Sequence, residues 1–116
     1  MKRLTIALAA CLFISHAAAE QKHGVEVYPG AKAHAETTEF LQKSLKMQGN
    51  AYVTSDSVAK VTDFYKKQPG LKQNPGADST QSGFMGKGVM VTIQNPWMDM
   101  KTSKKETSTL VSIVKQ

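Results

Sequence analysis

The chain has 116 residues, 41% of them hydrophobic, and a formal net charge of +6. That length holds one small domain and excludes a multidomain enzyme. Residues 20–116 carry thirteen lysines, no arginine, no cysteine and nine acids, a balance of +4, so thiol catalysis, zinc–thiolate sites and disulfide staples have no residues to use there.

Lys2 and Arg3 precede an apolar run from Leu4 to Ile14, broken only by Thr5, and Ala17-Ala18-Ala19 follows. Positive start, apolar middle and small-residue end make a secretory signal peptide, with cleavage expected before Glu20. The run of about eleven residues falls short of the ~20 that cross a bilayer, so no transmembrane segment is expected. A lipoprotein signal ending at Cys11 is the weaker alternative, because cleavage after Ala19 uses the whole apolar run. The expected compartment is the periplasm, with secretion as the alternative.

Residues 20–35 read as an extended amino-terminal arm, with Val25 and Val27 alternating before a Pro29-Gly30 turn. Phe40, Leu41 and Leu45 predict a first helix over 36–47, stopped by Gly49-Asn50. Ala51 to Thr54 predicts a short strand. A second helix follows, with Ser55 or Asp56 as its cap, Val58, Val61, Phe64 and Tyr65 on one side, and Pro69-Gly70 as its end. Ser79 to Phe84 predicts a weak strand, Met85 to Gly88 a turn, and Val89-x-Val91-x-Ile93 a strand that Pro96 closes. Thr109-x-Val111-x-Ile113 predicts the last strand, reached through a lysine-rich connection over 101–105. The sum is an α+β fold: two amphipathic helices packed on one face of a three- to four-stranded antiparallel sheet, forming a single domain over 36–116.

Catalytic inventory points away from an enzyme. Within residues 20–116 the only histidines are His23 and His34, both near the start, and Asp56, Asp63, Asp78 and Asp99 are scattered along the chain. No Gly-x-Ser-x-Gly, His-Glu-x-x-His, phosphate-loop or calcium-loop pattern is present. Lysines without arginine or interleaved aromatics argue against nucleic acid as a partner.

One cluster carries chemistry. In extended chain Met98 and Met100 point the same way beside Trp97, so two thioethers can meet one soft ion, with His34 as third ligand. That arrangement is similar to small periplasmic copper chaperones of metal-efflux systems, which implies Cu(I) or Ag(I). The competing reading makes these methionines core plugs.

Tyr28-Pro29-Gly30-Ala31, Asp56-Ser57-x-x-x-Val61-x-x-Phe64-Tyr65, Gly88-Val89-x-Val91-Thr92-Ile93 and Thr109-Leu110-Val111-Ser112-Ile113 resemble a loose group of small exported bacterial proteins of unassigned function. The motifs are structural, so this resemblance implies export and an α+β fold. The element order from Tyr52 onward also resembles one module of the glyoxalase and dioxygenase superfamily. Those enzymes place His and Glu ligands on paired modules, whereas this chain has one module and no His after His34.

The expected function is therefore a non-enzymatic binding or accessory protein without a cofactor, meeting an envelope protein or small ligand. Its expected contact surface is the sheet face of Met90, Thr92, Gln94, Leu110, Ser112 and Val114, or the Trp97 loop, and a homodimer through that face is one form of the expectation. The alternative is a Cu(I) or Ag(I) protein using Met98 and Met100.

Overall fold

The computed structural model describes residues 20–116; the expected signal peptide over 1–19, with Cys11, lies outside the described residues. Among these, the strands are β1 (Gln21–Lys22), β2 (Val25–Glu26), β3 (Lys32–Ala33), β4 (Gly49–Thr54), β5 (Lys72–Gln73), β6 (Gln81–Gly86), β7 (Val89–Gln94), β8 (Trp97–Asp99), β9 (Lys104–Glu106) and β10 (Thr109–Lys115). Two helical segments interrupt them. The first, α1 (Ala35–Glu39), widens into a π-helical turn over Phe40–Ser44, and the second is α2 (Val58–Lys66).

The main sheet has six antiparallel strands in the order β3-β4-β10-β7-β6-β5, and β1–β2 and β8–β9 are separate hairpins. The last strand thus sits at the centre, pairing with β4 on one side and β7 on the other. Alternation along β10 divides its side chains between two cores. Val111 and Ile113 join Tyr52, Phe84, Val91 and Ile93 on one face, where Val58, Val61 and Tyr65 of α2 cover them. Leu110 faces the other way and joins Ala51 and Trp97, with Leu41 packed against them.

This overturns the expected layout of two amphipathic helices on one face of a three- to four-stranded sheet. The protein is mostly β, and its two helical segments lie against opposite faces. The first helix is short because it has no continuous apolar stripe: no residue of α1 or its π turn is buried, and Leu45 beyond them is 49% exposed. The added strands β3 and β5 are two residues each, with no buried residue, so their partners β4 and β6 define them rather than a pattern of their own.

Residues 20–35 contribute to the first core through Val25, Val27 and Tyr28. Two phenols tie this segment to the rest. The Tyr65 hydroxyl donates to the Glu26 carbonyl at 2.8 Å, and the Tyr28 hydroxyl donates to Asp56 Oδ2 at 2.5 Å. With Asp56 so occupied, the cap of α2 falls to Ser57, whose Oγ accepts from Lys60 N at 3.2 Å. The Thr109 hydroxyl donates to the Asp56 carbonyl, which joins the same corner to the central strand.

Candidate functional site

The β8–β9 hairpin and the start of α1 bring three ligand-bearing residues together. His34 follows β3 and caps α1: its Nδ1 accepts from Thr37 N at 3.3 Å and lies 2.8 Å from Thr37 Oγ1. With Nδ1 accepting, a neutral ring carries its proton on Nε2, and a ligand reaches Nε2 only when that proton moves to Nδ1. Glu36 sits in the first turn of the same helix, exposed, with its Oε2 at 3.5 Å from Lys101 Nζ.

Alternation along β8 supplies the third residue. Trp97 and Asp99 point inward and are buried, while Met98 points out and is 53% exposed. Asp99 Oδ1 accepts from Lys101 N at 2.9 Å and Thr102 N at 3.2 Å, closing the turn. Both bonds end on Oδ1 and leave Oδ2 for another partner. The Lys101 N–H holds the Asp99 carboxyl below the usual carboxylate range, helped by Thr102 N–H and by the nearby charges of His34 and Lys101, against an opposing pull from desolvation.

One ligand atom each from His34, Glu36 and Asp99 lies within 4.8 Å of the others. Glu36 and Asp99 also line a cleft of about 290 Å³ with Thr37, Phe40, Met100 and Lys101. At its rim Lys43 pairs with Glu39 at 3.0 Å and keeps the Glu39 carboxyl below its usual range. Behind the cluster, the His34 ring meets Trp97 edge-on, with centroids 5.3 Å apart. The Trp97 indole N–H donates to Ser108 Oγ at 3.3 Å, which fixes the ring that fixes His34.

The residues singled out in the sequence divide into two sets. His34 and Trp97 come into contact as a pair, and Met100, 57% exposed, stands on the cleft wall. Met98 is on the outer side of its strand and is not among the cleft residues. Both methionines are solvent-facing, which removes core plugging as their role. Of the residues expected on an interaction surface, Trp97 and Leu110 are buried in the second core and Met90 is half-buried.

Sequence reasoning missed Glu36 and Asp99. The signal was present in two spacings, His34-x-Glu36 and Trp97-x-Asp99, each of which puts a ligand two residues from an aromatic or imidazole anchor. The 2.8 Å approach of Thr37 Oγ1 to His34 Nδ1 is the geometry of a hydroxyl beside a base, but the same nitrogen takes the Thr37 backbone N–H. That makes it a helix cap. Comparison with family models, curated proteins and solved structures gives no match for this chain. Among the described residues no helix is long and apolar enough to cross a membrane.

Proposed function

We propose that the chain is a small exported binding protein whose ligand is a divalent transition-metal ion, held by His34 Nε2, Asp99 Oδ2 and a Glu36 carboxylate oxygen. The carrying observation is the convergence of these three groups, within 4.8 Å, from two distant segments of the chain. An imidazole with two carboxylates suits Zn²⁺ and its borderline neighbours. Two of the three ligands are oriented in advance, His34 by Thr37 and Asp99 by its turn, which is the support that metal ligands need from their surroundings.

A four-coordinate ion with bonds of ~2.0–2.2 Å sets its ligand atoms about 3.4 Å apart. Closing from the observed spacing falls to Glu36, which is exposed and the freest of the three. A bound ion on Nε2 puts the ring proton on Nδ1, so the ring gives up the Thr37 N–H bond and donates instead to the Thr37 hydroxyl. The signal peptide expected from residues 1–19 would deliver the protein to the periplasm, where it binds without catalysing a reaction.

One observation favours a second reading at the same hairpin. Met98 and Met100 are both exposed, which leaves their thioethers open to Cu(I) or Ag(I), although Met98 faces away from the cleft that Met100 lines and from the side of the strand that meets His34. Titrations of Trp97 emission with Zn²⁺, and anaerobically with Cu(I), separate the two. Asp99→Asn abolishes the response in the first case, and Met98→Leu with Met100→Leu abolishes it in the second. No response to either ion rejects both.

A further inference from the structure

The cleft already contains a cation of its own. Lys101 leaves the turn that Asp99 closes, and its ammonium reaches back to Glu36 at 3.5 Å. Its backbone N–H and its side chain thus touch two of the three proposed ligands. Its ammonium holds the one ligand that must move for an ion to be enclosed.

We propose that Lys101 is a built-in competitor that gates the cation site: metal enters by displacing the Lys101 ammonium from Glu36, and the lysine returns when the metal leaves. This rests on the metal-binding reading and adds to it a residue that sets affinity. The exchange is one of ionic contacts only; no covalent bond forms or breaks. Lys101 swings outward on its flexible stem, while its backbone N–H stays on Asp99 Oδ1 and keeps that ligand aligned.

The other lysines of the hairpin provide the contrast. Lys104 and Lys105 lie on β9, opposite Asp99 and Met98 in the backbone register, and both are exposed. They carry the same charge a few residues away without an ion pair to a proposed ligand. A merely electrostatic background therefore predicts similar effects for Lys101 and Lys105, whereas the gate predicts an effect confined to Lys101. Glu36 and Lys101 side chains are 46% and 67% exposed, so solvent screens the pair and the competition is graded rather than absolute.

The test is competition for Zn²⁺ against a chromophoric chelator, with wild type, Lys101→Gln, Lys101→Arg and Lys105→Gln compared at one ionic strength. Lys101→Gln is expected to bind about two- to fivefold more tightly, Lys101→Arg close to wild type, and Lys105→Gln within about 1.5-fold. Equal gains in Lys101→Gln and Lys105→Gln overturn the gate while leaving the metal site standing. In parallel, amine acylation read by mass spectrometry should reach Lys101 faster when Zn²⁺ is present, with Lys105 unchanged. An unaltered Lys101 rate in a protein that binds Zn²⁺ overturns the gate, and absence of Zn²⁺ binding in every variant overturns gate and site together.

Discussion

The His34 imidazole stands edge-on to the Trp97 indole, 5.3 Å between centroids and 82° between planes. Trp97 is the chain's single tryptophan, so its emission reports on the ring beside the proposed site. His34→Ala is expected to change that emission in the metal-free protein and to abolish any response to metal. Loss of the helix cap should also lower stability by about 1 kcal/mol, read as a shift in the urea midpoint.

Tyr28 binds the amino-terminal segment to Asp56, and the fold holds its neutral phenol. Burial first, then the Asp56 hydrogen bond and the Asp56 charge, push its pKa from the ordinary 10 up to about 12. The unfolded chain ionises this group near its ordinary value. Its contribution is therefore complete below pH 10 and is lost as pH rises to 12. Tyr28→Phe should lower stability by about 1–2 kcal/mol at neutral pH, and the gap between variant and wild type should close across that alkaline window in urea unfolding.

Thr62 of α2 and Ser82 of β6 share a buried hydroxyl–hydroxyl bond of 2.6 Å. Removing one partner leaves the other unsatisfied in the core, at about 1–3 kcal/mol, whereas removing both spares that penalty. Thr62→Val should destabilise, and Thr62→Val with Ser82→Ala should recover most of the loss. An additive double variant would show that the pair does not act as a unit.

Gly86 ends β6 with φ +148°, and a Cβ there would lie 1.9 Å from the Gly70 carbonyl oxygen. The obstacle is backbone, so no side-chain rotation relieves it. Gly86→Ala is expected to destabilise by more than about 3 kcal/mol, or to prevent folding, while Gly24→Ala, which meets nothing within 4 Å, pays only for its positive φ. Thermal unfolding of the two variants side by side checks the difference.

What the sequence could show followed from segments that carry their own pattern. Val58, Val61 and Tyr65 repeat at helical spacing, so α2 was legible; β7 and β10 were legible because β-branched residues alternate along them. Lys32-Ala33 and Lys72-Gln73 have no such pattern, and they become strands only because β4 and β6 offer edges. This is why a six-stranded sheet reads as a three- to four-stranded one. The first helix was overread for a related reason: Phe40, Leu41 and Leu45 are apolar, yet only Leu41 packs against the second core. At the site, Trp97-Met98-Asp99-Met100 can be read by either face. The methionine face draws the eye chemically, but burying Trp97 turns Asp99 inward toward His34, and only the fold brings Glu36 to meet them.

The most direct test of the metal site is a Zn²⁺ titration of Trp97 emission in wild type and Asp99→Asn, the asparagine retaining the Oδ1 that closes the turn. A saturable change at one ion per chain in wild type, lost in the variant, is the predicted result. A response that survives Asp99→Asn unchanged, or no response in wild type, would contradict a site built on His34, Glu36 and Asp99.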